Sequence, residues 1–258
     1  ALGTSVLCDV GTCDLGDWHL RGSPSRCLSR RCCSEWNKVT PMRERLDNGT
    51  ELEVVRVAGS TRGLVVAPDI FGLRPLFDDL VERFAREWNM TTIAVEPFPT
   101  ESLSPDIEPR YEAVARLTDD RVLGDLAAAA DLTGCDDVSL IGFCLGGMHC
   151  FKAADQGIFD RIASFYGMIR LPEAWNGPGQ SEPLPHVAAS PDPVLAIIGD
   201  LDPYTPPDAV SDLEATGTRV VRYADAKHGF AHDASRPDHR ADDAADAFAR
   251  VGDWVRGN

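Results

Sequence analysis

Cys144 stands in the run Val138-Ser139-Leu140-Ile141-Gly142-Phe143-Cys144-Leu145-Gly146-Gly147. An apolar, strand-like stretch leads into a thiol that has glycine two positions before it and two after it, and a helical stretch follows. That spacing predicts a nucleophile elbow with sulfur in place of oxygen, because the sharp strand-to-helix turn strains its central residue and tolerates only small neighbours at those two positions. The competing reading is a packed cysteine beside a tight turn, since cysteine is among the most buried residue types. The strand before and the helix after favour the nucleophile.

A thiol also needs a base to make thiolate and a third group to orient that base. Both follow along the chain. The apolar run Pro193 to Gly199 closes on Asp200-Leu201-Asp202-Pro203, which sets two carboxylates just past the end of a strand, and either could serve. Thr218 to Tyr223 reads as a further strand, and the loop Ala226-Lys227-His228-Gly229-Phe230 behind it supplies His228 as the base. The chemistry this order implies is acyl transfer: a Cys144 thiolate attacks a carbonyl and forms a thioester, which His228 helps water to hydrolyse. The backbone amide of Leu145, next after the thiol, is the donor that elbow geometry directs at the developing oxyanion.

The elements that must position these groups alternate. Glu51 to Val57 and Gly63 to Asp69 read as strands. Leu76, Leu80, Phe84 and Trp88 recur every four residues between Arg74 and Trp88, as on an amphipathic helix packed on a sheet. Thr91 to Val95 returns as a strand. Arg110 to Leu117 is helical, and Asp119 or Asp120 can cap a helix that Gly134 ends. After the elbow strand come a helix to about Lys152 and the strand Arg161 to Tyr166. Leu171 to Pro191 carries five prolines and two glycines and reads as a long loop, leaving a strand end where a cover over the site would begin. A last helix runs from about Ala241 to Arg256. Strands alternating with helices imply an α/β fold, a mostly parallel sheet with helices on both faces.

At these residues the chain resembles the dienelactone hydrolase family, α/β hydrolases with a Cys-His-Asp triad, over roughly residues 42 to 257. The elbow with its double glycine is similar to the family's motif, as is His228 followed by Gly229 and Phe230. Matching the acid loop selects Asp202 over Asp200, because Gly199 lies three residues before it and Pro206 four after. A further match is Asp69-Ile70-Phe71-Gly72, behind the strand Leu64 to Ala67. There the resemblance implies an acidic residue that helps deprotonate the resting thiol, a second oxyanion amide at Ile70, and a substrate-facing Phe71. Tyr166, by its place at a strand end, is expected to line the same pocket. Two departures stand out. The family's acid at that loop is usually glutamate, where this chain has Asp69. Members that cleave dienelactone hold its carboxylate with arginines, one of them four residues after the histidine, where this chain has His232, which that match implies as a pocket-wall residue that meets the substrate. Arg236, Arg110, Arg116 and Arg170 are cations that could approach from other loops. The implied substrate is a small ester or lactone, and no cofactor or metal is expected.

Composition narrows the remaining choices. The chain has 258 residues, 43% of them hydrophobic, enough for one catalytic domain from residue 42 to 258. Its 41 acidic and 25 basic residues give a formal net charge of −16, which repels nucleic acid. No run of eighteen apolar residues is present, so no membrane span is expected. Ala1 to Leu20 lacks a basic start with an apolar block behind it, which points to a cytoplasmic protein. Residues 1 to 41 hold Cys8, Cys13, Cys27, Cys32 and Cys33 with four, thirteen, four and zero residues between them. That spacing does not suit a zinc site, and a disordered extension is expected there. Oligomeric state is not legible. Two other classes compete: a redox protein using Cys144 and Cys150, whose spacing is not that of a CxxC dithiol, and a catalytically silent binding domain.

Overall fold

The computed structural model describes residues 41–99, 101 and 103–257. The expectation for residues 1 to 41 falls almost wholly outside them. Eight strands form one sheet: β1 (Met42–Arg45), β2 (Glu51–Val55), β3 (Arg62–Ala67), β4 (Thr91–Val95), β5 (Asp137–Phe143), β6 (Arg161–Phe165), β7 (Val194–Gly199) and β8 (Arg219–Tyr223). Their order across the sheet is β1-β2-β4-β3-β5-β6-β7-β8. The pairs β1/β2 and β2/β4 are antiparallel, and every other pair is parallel. Residues within β3, β5 and β7 are buried almost throughout, the pattern of parallel strands covered on both faces, whereas the edge strand β8 is partly exposed, burying only Tyr223.

Alternate residues of each strand feed two separate cores. Leu64, Val66, Ile141 and Phe143 face the helices α1 (Pro75–Trp88) and α7 (Ala241–Arg256). Val65, Ala67 and Leu140 face the core that takes residues from α2 (Ile107–Ala113), α3 (Asp119–Leu132), α4 (Leu145–Lys152), α5 (Pro183–Ala189) and α6 (Pro207–Ala215). Helix α1 buries Phe77, Leu80, Val81, Phe84 and Trp88. At roughly 1.5–3 kcal/mol for each large side chain, this packing outweighs any propensity term in holding the helix. None of the described helices is long and apolar enough to cross a membrane.

Several boundaries differ from the sequence expectation. Helix α2 begins three residues early and passes into a 3₁₀ turn at Val114–Arg116. Neither Asp119 nor Asp120 caps α3; Thr118 does, its hydroxyl accepting the Arg121 amide at 3.4 Å, while both aspartates lie in the first turn. The segment Leu171 to Pro191 is not one loop. It holds a 3₁₀ turn at Glu173–Trp175 and the helix α5, which starts on Pro183, where the missing N–H leaves no bond unmade. Buried Lys152 ties this segment down: its ammonium donates to Asp119 Oδ1 and Gln180 Oε1, both at 2.7 Å. Ser181 bonds Asp119 and His186, and His186 in turn meets Asp155 at 2.9 Å.

Candidate active site

The elbow forms because two glycines permit a backbone approach that no side chain allows. Cys144 follows β5 at φ 54° and ψ −112°, an uncommon backbone for a residue with a side chain. A Cβ on Gly142 would lie 2.3 Å from the Gly146 carbonyl oxygen, and one on Gly146 would lie 2.0 Å from the Ala67 carbonyl oxygen. The Cys144 amide donates to the Phe165 carbonyl at 3.0 Å and the Gly146 amide to that of Pro68 at 3.1 Å, which fixes the turn against β6 and the end of β3. The half-buried thiol faces a cavity of about 480 Å3.

His228 reaches the same cavity from the loop after β8. Its Nδ1 lies 2.8 Å from Asp202 Oδ2, and its ring lines the same cavity as the Cys144 thiol. With Nδ1 engaged by the carboxylate, Nε2 is the nitrogen left for sulfur. Asp202 is 3% exposed, and its other oxygen accepts the Tyr204 amide at 2.8 Å. Asp200 turns outward to Arg222, at 2.7 Å. Burial would lower the His228 pKa, but the charges and hydrogen bonds of Cys144 and Asp202 overcome it and push it up to about 10. Sulfur, imidazole and carboxylate in series can move the thiol proton to nitrogen and hold the resulting ion pair.

The turn 69–72 lies beside the thiol. Ile70 and Phe71 line the cavity, and neither the Ile70 nor the Leu145 amide donates a hydrogen bond within the described residues. Asp69 is placed differently from the expectation that it serves the thiol. Arg74 grips both its oxygens at 2.7 and 2.9 Å, His232 Nε2 lies 2.8 Å from Oδ2, and Oδ1 accepts the Phe71 amide at 3.0 Å. Burial works against its charge, yet the bonds from His232 and Arg74 prevail and hold the carboxyl well below the usual range. Among the described residues no hydrogen bond joins it to Cys144. Tyr166 and His232, expected on the pocket wall, are correspondingly buried behind it, with the Tyr166 hydroxyl on His232 Nδ1. Strand β6 ends at Phe165, and at φ 40° Tyr166 sends its ring inward.

Of the four candidate arginines only Arg236 lines the cavity. Arg110 is spent on the carbonyls of Ser104, Leu103 and Ile70, Arg116 on Glu101, and Arg170 on Asp208 and Asp212. Neighbouring Lys227 pairs with Asp238 at 3.0 Å, while Arg236 has no carboxylate partner among the described residues. Aromatic walls come from Phe71, Tyr111, Trp175 and Tyr204. Sequence reasoning missed Tyr111, Trp175, Tyr204 and the Arg74 clamp; an arginine five residues after an acidic loop residue was the one signal available for the last.

A sequence profile described as the dienelactone hydrolase family matches residues 54–257. A Synechocystis protein provisionally named carboxymethylenebutenolidase is 30% identical over 210 residues, spanning 73% of this chain and 82% of its own length. Carboxymethylenebutenolidase 2 of Cupriavidus pinatubonensis is 27% identical over 205 residues, 76% of this chain and 85% of that one. Among solved structures, a Klebsiella pneumoniae protein provisionally described as a dienelactone hydrolase aligns with a TM-score of 0.70 at 24% identity, covering 81% of this chain and 93% of that one.

Proposed function

The chain belongs to the dienelactone hydrolase family and is a carboxylic ester hydrolase, and we propose that it cleaves its ester or lactone through Cys144, His228 and Asp202 with a covalent thioester intermediate. The observation that supports this reading is the position of His228, which is bonded to a buried carboxylate and lines the same cavity as the elbow thiol. The thiolate attacks the carbonyl carbon, and the amides of Ile70 and Leu145 receive the oxyanion. Collapse of the tetrahedral adduct expels an alkoxide that takes its proton from His228, leaving acyl on sulfur. His228 then removes a proton from water, the hydroxide adds to the thioester, and collapse releases the acid and regenerates the thiolate beside the imidazolium. Asp202 fixes the tautomer and steadies the imidazolium.

The relatives named carboxymethylenebutenolidase favour a lactone. Arg236, a cation on the cavity wall without a carboxylate partner among the described residues, favours one that carries an anionic group, and the aromatic walls favour a flat, conjugated body. A nucleophile that works as a free thiolate suits a reducing compartment, the cytoplasm. A redox role for Cys144 with Cys150 is disfavoured, because Cys150 is fully buried and burial pushes its thiol pKa up.

The test is hydrolysis of nitrophenyl esters and of unsaturated lactones by wild type and Cys144→Ala, with mass spectrometry of the quenched wild type. A true nucleophile gives an acyl adduct on Cys144 and a loss on the order of 10⁴ to 10⁶ in turnover when it is removed. An inactive wild type that still binds such compounds would identify a silent binding domain instead.

A further inference from the structure

Behind the wall that carries His228, the buried Tyr166 hydroxyl, His232 and Asp69 stand in series with the half-buried Arg74, without reaching the cavity. Their hydrogen-bond directions follow from proton counting. Asp69 stays ionised between His232 and Arg74, so it only accepts, and His232 Nε2 must donate to it. Burial, the larger effect, outweighs Asp69 and lowers the His232 pKa, so the ring is neutral with one N–H. His232 Nδ1 is therefore a bare lone pair, and the Tyr166 hydroxyl donates to it. Each group in the series has one satisfactory arrangement.

We propose that His232 is a positioning residue, joining the turn that offers the Ile70 amide to the loop and the aromatic floor that hold His228. This rests on the thiolate mechanism above. Three separate segments meet at this ring. Asp69 immediately precedes Ile70, and its Oδ1 accepts the Phe71 amide, so the place of the carboxylate sets the turn of the oxyanion loop. Tyr166 lies edge-on to His228, ring centroids 5.3 Å apart at 66°. His232 itself is four residues beyond the base, on the same loop. One imidazole thus aligns the amide that meets the oxyanion with the base that serves the sulfur. It touches neither substrate nor thiol.

An oxyanion donor counts only once the oxyanion forms, so misaligning it lowers kcat and spares KM. His232→Ala is expected to lower kcat by roughly 10- to 100-fold, less than deletion of a whole oxyanion donor, with KM changed by less than about threefold. Affinity for an aldehyde inhibitor, whose thiol adduct carries the same oxyanion, should weaken in parallel. His232→Gln, which restores an N–H near the position of Nε2, is expected to recover most of the loss. Tyr166→Phe removes a single hydroxyl and decides the matter where His232→Ala does not fold; about a threefold to tenfold loss in kcat is expected. A folded His232→Ala, or failing that Tyr166→Phe, with kcat and aldehyde affinity within about twofold of wild type would overturn the proposal. So would a loss carried in KM, or one that His232→Gln leaves untouched. An active wild type with such variants overturns this proposal alone, whereas an inactive wild type overturns the thiolate mechanism as well.

Discussion

Gly146→Ala is the substitution whose effect the structure specifies most sharply. The new Cβ would stand 2.0 Å from the Ala67 carbonyl oxygen, 2.5 Å from its carbon and 2.6 Å from the Pro68 carbonyl oxygen, while real Cβ atoms essentially never come within 3.0 Å of such neighbours. All three are backbone atoms, so no rotamer change relieves the contact. Either the amino end of α4 retreats from β3 by at least about 1 Å, or β3 itself distorts. Overpacking of this kind costs about 3 kcal/mol, which lowers Tm by roughly 6–12 °C in a domain of this size. The retreat also carries Cys144 and the Leu145 amide, since both sit on the first turn of α4. A displacement of about 1 Å in reacting groups is worth roughly a hundredfold in rate. Thermal melting and nitrophenyl-ester hydrolysis read the two effects separately. Gly124→Ala is the paired control: Gly124 lies inside α3 with nothing within 4 Å of an added Cβ, so it should stabilise by roughly 0.5–1 kcal/mol and leave kcat unchanged. Were Gly146→Ala to melt within about 2 °C of wild type with kcat intact, the steric account of the elbow would be refuted.

Arg236→Gln should raise KM for carboxylate-bearing esters about tenfold to a hundredfold and leave neutral esters unchanged, measured with matched substrate pairs. Lys152→Ala strands Asp119 and should cost about 3–5 kcal/mol in urea unfolding, whereas Lys152→Met combined with Asp119→Asn should cost much less. His228 gains protons on folding, because its pKa rises from 6.5 to about 10. Its contribution to stability is complete below about pH 6.5 and lost as pH climbs through about 10, so unfolding free energy should fall across that window. Cys144→Ala, which removes the sulfur charge, should flatten the slope; an unchanged slope would mean that the sulfur does not hold the proton on His228.

How much was legible in advance depended on whether the signal was local. Strand β5 and helix α1 announce themselves by a mostly apolar run and by a period of four, because each buries a continuous face. The elbow was legible for the same reason at Gly142, whose clash lies within the turn itself, while the clash that requires Gly146 is with the distant end of β3. Helix α5 was missed because Pro183 and Pro185 look like loop residues, although prolines fit the first turn of a helix, where amides lack partners anyway. Asp200 and Asp202 could be separated only by family likeness, since the outward partner of Asp200, Arg222, lies on the next strand. The misplacement of Tyr166 and His232 has one cause: which way a side chain leaves a strand end or loop depends on φ at that residue and on partners 66 and 163 positions away.

The anchoring of residues 167–181 has a practical consequence. At one end Gly167 is pressed against Gly147 and Arg170 is clamped to α6; at the other, Gln180 and Ser181 are fastened to Asp119 and Lys152. Between these moorings lies a short span whose indole, Trp175, roofs the reaction chamber. Within that span Trp175 is the side chain to vary in bulk or polarity to retune which acyl groups enter, whereas Gly177, on which a Cβ would stand 1.7 Å from the Ala115 carbonyl oxygen, and Gly179, whose carbonyl accepts the Asp119 amide, are fixed points of any such exchange.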